Sequence, residues 1–242
     1  GLAALTISVI PTVSASLARN DRVHTSRVIN SSLRVTGLMA FPMGLGLWAL
    51  AEPIMKLCYP RYDSELGGSL LAVLGIASMF VCLMLISNSI LQSYGRVHVP
   101  VFTMLIGGVV KIIFNYNLTA VPSINIHAAP FGTLVCFVIV SSLNLFFVYR
   151  TMEDKPNYFK VFAKPLIASL VMALCAKLSY RFFAAHIALG GATMTQLVNV
   201  GLAVVLAVIV YVALVLLMRI VTRDDLALLP KGEKLAHILH VR

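Results

Sequence analysis

One charged side chain lies deep within a long apolar run of the sequence. Lys111 is about twelve residues into the run 99–119, and Asn115 follows it one helical turn later on the same face. A charge at that depth in a membrane-crossing helix costs about 2.5 to 3.5 kcal/mol on insertion scales. Two interpretations are open. Lys111 either faces a watery cavity, where it attracts an anionic group, or it snorkels or pairs structurally with another helix.

A second polar group lies at the end of the apolar run 69–91. Asn88 and Gln92 stand four residues apart there, with Ser87 and Ser89 beside them. These side chains either line the same cavity as Lys111 or hydrogen-bond from helix to helix, as polar residues in membrane helices commonly do. We therefore take Lys111, Asn115, Asn88 and Gln92 as the candidate substrate-cavity residues.

Two prolines fall within apolar runs. Pro11 lies in the run 1–17 and Pro42 in the run 36–58. Proline leaves backbone groups unsatisfied, and discontinuous helices commonly surround transport cavities. Gly and Pro are also more frequent in membrane helices than in soluble ones, so the pattern has an ordinary explanation as well. We take both prolines as candidate helix breaks.

Signatures of catalysis and of metal binding are absent from the sequence. There is no nucleophile elbow, no phosphate-binding loop and no zinc-protease motif. The four cysteines form no paired spacing, and His237 and His240 in the tail have no third ligand nearby. The sequence therefore predicts neither an enzyme nor a metal site, and no cofactor.

The elements that position these residues are long apolar runs. Hydrophobic residues make up 60% of the sequence and charged residues 12%, against roughly a quarter charged in a soluble domain. A membrane-crossing helix needs about 20 apolar residues. The runs are 1–17, 36–58, 69–91, 99–119, 129–150, 165–185 and 195–218. They predict an all-α integral membrane protein with about seven transmembrane helices in a transmembrane domain 1–219, followed by a basic tail 220–242.

The net charge is +10, and its basic residues are divided unevenly between the two predicted sides of the membrane. The loops and helix ends on one side hold fourteen basic residues and those on the other side hold three. The three are Lys56, Arg61 and Arg181. This Lys/Arg bias predicts that the basic loops and the C-terminus are cytoplasmic. It also favours contact with anionic membrane lipids and argues against nucleic acid as a partner.

Several strings, in this order and spacing, resemble a known family. They are Leu5–Pro11, Ile90–Gln92 with Gly95–Arg96 and Pro100, Gly107–Ile113, and Ile124–Ile126 running into Gly132–Thr133. Together they resemble the polysaccharide-biosynthesis and stage V sporulation protein B group of the multidrug/oligosaccharidyl-lipid/polysaccharide exporter superfamily. That superfamily also contains the lipid II flippases and the MATE drug exporters. His127 stands where the group usually has a glycine.

The resemblance implies a fourteen-helix, two-lobe exporter in a bacterial plasma membrane. This chain would be its C-terminal half, helices eight to fourteen, and the missing N-terminal lobe would be its partner. The implied substrate is an undecaprenyl-linked oligosaccharide or a peptidoglycan precursor, moved by alternating access. A cationic cavity suits its diphosphate. The alternatives are a MATE-type cation-coupled multidrug exporter, which intramembrane carboxylates would favour, and a membrane scaffold or integral enzyme subunit.

Overall fold

The computed structural model describes residues 2–19, 21–61, 63–121, 125–187, 191–218 and 220, with the side chains of 2–8, 125 and 192 left out. Within these ranges the backbone is helical and contains no strand. The helices are α1 (Leu2–Ala18), α2 (Arg22–Ala49), α3 (Ala51–Cys58), α4 (Ser64–Ser93), α5 (His98–Thr119), α6 (Ala128–Thr151), α7 (Tyr158–His186) and α8 (Ala192–Leu217), with a 3₁₀ turn at Asn125–His127 before α6. Except for residue 220, the predicted tail 220–242 lies outside the described residues.

Five of these helices, α4 to α8, are long and apolar enough to cross a membrane. Helices α2 and α3 meet at a bend of 67° and together could form a sixth, broken span. The prediction of an all-α integral membrane protein is confirmed. The sequence led us to expect about seven spans, and the difference lies at α1, because its 17 residues are at the lower limit for crossing a bilayer.

Helix starts and stops follow local capping chemistry more than the limits of the apolar runs. The Asp21 carboxylate accepts a hydrogen bond from the backbone N–H of His24, so α2 begins fourteen residues before its apolar run. Helix α4 ends in a Schellman motif at Gly95, whose φ is 72°. There the Gly95 N–H donates to Gln92 and the Arg96 N–H donates to Leu91. This motif fixes the direction in which the chain leaves α4.

The break in the second span is not at proline. Helix α1 continues through Pro11 and α2 continues through Pro42, so the prediction that these prolines break their helices is wrong. Proline removes one backbone hydrogen bond. In α2 the turn around Pro42 stays helical because its neighbours Phe41 and Leu45 are buried in the core. The chain bends instead at Leu50, between α2 and α3.

The helices pack as a row, α5–α6–α4–α2–α7–α8, with α1 against α2 and α4, and α3 against α4 and α8. Helix α4 is central because it contacts α1, α2, α3 and α6. Helices α2 and α4 approach closely at Gly44 and Gly75. A Cβ added at Gly44 would lie 2.7 Å from the Gly75 carbonyl oxygen. Small residues permit such backbone contact between membrane helices.

Polar side chains hold α8 against the rest of the bundle. The Tyr211 hydroxyl donates to the Leu38 carbonyl of α2 at 2.6 Å. The Gln196 amide donates to the Pro53 carbonyl of α3 at 3.2 Å and to the Tyr180 hydroxyl of α7 at 2.9 Å. Helix α8 therefore has a directional contact with each of three other helices.

We expect Tyr211→Phe to lower the stability of the protein by about 0.5 to 1.5 kcal/mol, because it removes one hydrogen bond and keeps the ring. Tyr116→Phe is the matched control, since Tyr116 is 82% exposed. The measurement is the thermal denaturation midpoint in detergent. Equal midpoints for the two variants would contradict the importance of the bond to Leu38.

Candidate functional site

Helices α5 and α6 pack antiparallel along a line of contacts that we name the α5–α6 seam. Thr103 meets Asn144, Gly107 meets Val140, and Asn115 meets Gly132. Each step of four or eight residues forward along α5 is matched by the same step back along α6. Lys111 lies midway between Gly107 and Asn115, so this register places it opposite Cys136.

The contacts on either side of Lys111 depend on glycine. A Cβ on Gly107 would overlap the Val140 side chain and lie 3.0 Å from the Cys136 sulfur. A Cβ on Gly132 would overlap the Asn115 amide oxygen. The two helices therefore approach closely on both sides of Lys111.

Lys111 is half-buried at this seam. Its ammonium group has no hydrogen bond and no ion pair with any residue in the described ranges. It lies well inside its span, thirteen residues after the start of α5 and eight before its end. The described part of the chain therefore contains no partner for Lys111, as a structural pairing with another helix would require. Its role in a cavity stays a prediction.

Asn115 adds an acceptor beside this cation. Its amide oxygen is buried and has no hydrogen-bond partner among the described residues. An unpaired buried acceptor costs about 1 to 3 kcal/mol. Lys111 and Asn115 are about 6 Å apart along the helix axis. The Asn115 oxygen is packed against Gly132 of α6, so a ligand would reach it only if the seam opened there.

Asn88 takes part in a different arrangement, which we name the polar relay. The Thr103 hydroxyl donates to the Asn144 amide oxygen at 2.7 Å, and the Asn144 amide nitrogen donates to the Asn88 amide oxygen at 2.6 Å. Asn144 is fully buried and Thr103 is 1% exposed. The relay joins α5, α6 and α4. Of the two interpretations of Asn88, the structure shows helix-to-helix hydrogen bonding.

Sequence reasoning missed Thr103 and Asn144. Each is an isolated polar residue within an otherwise apolar run, and that signal was available. Their pairing was not, because it depends on how α5 and α6 are aligned.

The four predicted site residues fall into two separate groups. Thr103, which anchors the relay, is eight residues before Lys111 on α5, or about 12 Å along the helix axis. Gln92 is exposed and lies one turn beyond Asn88, towards the end of α4. The structure therefore brings Lys111 and Asn115 together but keeps Asn88 and Gln92 away from them.

A pocket of about 330 Å³ lies on the predicted cytoplasmic side. It is formed near the C-terminal ends of α1, α4 and α6 and the N-terminal end of α2. Its lining consists of Leu17, Arg22, Thr25, Ser26, Tyr94, Arg96, Thr151, Met152, Glu153 and Asp154. Arg22 forms an ion pair with Glu153, and both side chains are more than 60% exposed, so the pair contributes little to stability. Burial raises the pKa of the Tyr94 hydroxyl, and the charges of Glu153 and Asp154 raise it further.

No group of His, Cys, Asp and Glu side chains within the described ranges is arranged to hold a metal ion. The pocket is lined by charges of both signs, Arg22 and Arg96 against Glu153 and Asp154. It is less suited than Lys111 to binding an anion, because two carboxylates lie within it.

Part of the chain is similar to a known protein family. Residues 1–117, just under half of the chain, match the family model described as MatE. This similarity indicates a membrane transporter. MatE family members are transporters and not enzymes, so the expectation of no catalytic activity agrees with the match at that level. The matched part contains α1 to α4 and most of α5, and with them Lys111, Asn115, Asn88 and Gln92.

One relative extends the similarity along the whole chain. The uncharacterized membrane protein YabM of Bacillus subtilis (strain 168) is 23% identical over 240 residues. The alignment covers 97% of this chain and 43% of YabM. The chain thus spans less than half the length of this relative. The MatE similarity agrees with the exporter superfamily that the sequence strings resemble, without separating its subgroups, and the YabM similarity agrees with a membrane protein.

We expect Gly107→Ala to destabilise the docking of α5 by about 1 to 3 kcal/mol, because the added methyl group overpacks the seam against Val140 and Cys136. Gly108→Ala is the matched control, since nothing lies within 4 Å of a Cβ at that position. The measurement is the fraction of protein that stays monodisperse after heating in detergent. A loss in Gly108→Ala as large as that in Gly107→Ala would contradict the packing described here.

Proposed function

We propose that this chain is part of a flippase that moves an undecaprenyl-linked oligosaccharide or peptidoglycan precursor across a bacterial plasma membrane by alternating access. The observation that supports it most is the Lys111 ammonium group. Lys111 is half-buried within a span, and its ammonium group has no hydrogen bond or ion pair among the described residues. A charged residue within a membrane span is costly to insert, and such residues commonly have a function.

The chemistry of the proposed substrate fits this pair of residues. A diphosphate carries the negative charge that an isolated ammonium attracts, and ionic hydrogen bonds are roughly twice as strong as neutral ones. Away from water the attraction is stronger still, because the effective dielectric constant is lower. The unpaired oxygen of Asn115 would accept a hydrogen bond from a sugar hydroxyl when the seam at Gly132 opens during transport. A cationic drug would instead be repelled by Lys111.

A MATE-type cation-coupled multidrug exporter is the second candidate, and the MatE similarity is compatible with it. That function would favour a carboxylate within the spans. In the described spans α4 to α8 the acidic residue is Glu65, in the first turn of α4, and the bent pair α2 and α3 has Glu52 in the first turn of α3. The positions of both carboxylates at helix ends make the flippase the better supported of the two.

The proposal includes a second lobe and a membrane orientation. The alignment with YabM leaves more than half of that protein uncovered, which is compatible with an N-terminal lobe preceding this one. The inter-lobe face would contribute the remaining contacts to the substrate. The basic loops, including Arg96, would face the cytoplasm, where they meet anionic lipid.

The proposed orientation predicts opposite labelling of two loops in the full-length protein. In a variant whose native cysteines are replaced, Arg61→Cys should react with a membrane-impermeant maleimide in intact cells. Arg96→Cys should react only after the membrane is permeabilised. Labelling of Arg96→Cys in intact cells would reverse the orientation.

The substrate is tested by complementation. We expect the full-length gene to restore growth to a bacterium depleted of its own lipid II flippase. Lys111→Ala should lower flipping about ten- to a hundredfold, because it removes an ionic hydrogen bond. Lys111→Arg should retain most of the activity, since it keeps the charge. The matched control is Lys56→Ala, which removes an exposed lysine from α3, away from the seam.

Normal flipping by Lys111→Ala at wild-type expression would remove Lys111 from the substrate site. A wild-type protein that reaches the membrane but does not rescue growth would contradict a peptidoglycan precursor as substrate. Efflux of cationic dyes by that same protein would then favour the multidrug exporter.

A further inference from the structure

The polar relay has no place among the proposed substrate contacts, yet it joins three of the described helices through hydrogen bonds between side chains. Asn144 uses both ends of its amide group, as an acceptor for Thr103 and as a donor to Asn88. Since Asn144 is fully buried, neither bond is exchanged for water. Losing one partner would leave an unsatisfied group, which is more costly than the bond itself is worth.

Helix α5 depends on α6 for its position. Its buried residues are Pro100, Thr103 and Gly107, all on the face towards α6. The large apolar side chains on its other faces, such as Phe102, Leu105 and Ile112, are exposed. The apolar contacts at the seam are van der Waals contacts, which depend on shape, whereas the Thr103–Asn144 hydrogen bond also depends on direction. It is also anchored beyond α6, because Asn144 is bonded to Asn88 of α4.

We propose that Thr103 and Asn144 are positioning residues that fix the register of α5 on α6 and so hold Lys111 at the α5–α6 seam. This proposal rests on the proposed role of Lys111 in transport. A slip of one residue would move Lys111 by about 1.5 Å and rotate it by about 100° around the helix. The ammonium group would then leave the seam for the exposed apolar face of α5, and the pairing of Asn115 with Gly132 would be lost.

The chain offers a matched pair of substitutions at Thr103. Thr103→Val keeps the shape but removes the hydroxyl donor, so the Asn144 oxygen loses its partner. Thr103→Ser keeps the donor. In the full-length protein we expect Thr103→Val to lower flipping about tenfold at unchanged membrane expression, and Thr103→Ser to stay within about twofold of wild type.

A double-mutant cycle separates positioning from general stability. If Thr103 acts through Lys111, Thr103→Val should cause no further loss when Lys111 is already alanine, because effects of coupled residues are not additive. An equal loss in the presence and absence of Lys111 would overturn the proposal. Such a result would mean that the relay supports the fold without placing Lys111.

A cross-linking measurement tests the register without any substrate. The register places Lys111→Cys opposite the native Cys136, in a protein whose other cysteines, Cys58, Cys82 and Cys175, are replaced by alanine. We expect a mild oxidant to form the disulfide in this protein and in its Thr103→Ser form. In its Thr103→Val form the yield of this disulfide should fall severalfold. In parallel variants that carry Val110→Cys or Ile112→Cys instead of Lys111→Cys, Thr103→Val should cause a disulfide with Cys136 to appear.

An unchanged yield in Thr103→Val would overturn the proposed role of Thr103 in fixing the register. The cross-link also distinguishes this failure from failure of the proposed function. If the disulfide responds to Thr103→Val while Lys111→Ala flips substrate normally, the register is supported and the substrate role of Lys111 is rejected.

Discussion

The requirement that polar groups in a bilayer be satisfied inside the protein governs the rest of this structure. Backbone groups meet it by forming helices, which explains why the described chain is helical from α1 to α8. Side chains meet it by bonding across helices. The relay from Thr103 to Asn88 and the bond from Tyr211 to Leu38 are the clearest cases. Since lipid tails are as apolar as leucine, such bonds and close glycine contacts, more than hydrophobic burial, determine which helices pack together.

Lys111 departs from this rule, since its ammonium group finds no partner among the described residues. Asn115, one turn away, keeps a buried oxygen unpaired as well. Two uncompensated groups on one face of one helix are costly, and the neighbouring relay shows that the fold can satisfy polar groups where it needs to. Both groups lie on the α5–α6 seam, whereas the other buried unpaired side-chain oxygen among the described residues, that of Asn199, lies on α8. A ligand with the complementary groups would recover the cost at the seam.

Much of the fold could be predicted from the sequence, because apolar runs of membrane-crossing length leave the chain few choices. The runs 69–91 and 99–119 lie within α4 and α5. The start of α2 at Arg22 could not be read from hydropathy, since a capping aspartate sets it. Nor could the bend at Leu50, because the packing of Phe41 and Leu45 keeps the turn at Pro42 helical. The site divided in a similar way. Lys111 was visible as a buried charge, but the bond between Thr103 and Asn144 depends on the register between two helices.

An unpaired lysine also affects how a transporter could couple binding to movement. A ligand shifts a conformational equilibrium only by its difference in affinity between the two states. If an ion pair within the lobe neutralised Lys111, an arriving diphosphate would have to displace the partner. Much of the difference in its affinity between the two conformational states would then be lost. Without such a partner, the ammonium group forms an ion pair only when an anion is bound. The relay, by keeping α5 fixed on α6, would then transmit the effect of binding to the lobe as a whole. This is the physical reason to expect a buried hydrogen-bond relay on the same helix as an unpaired charge.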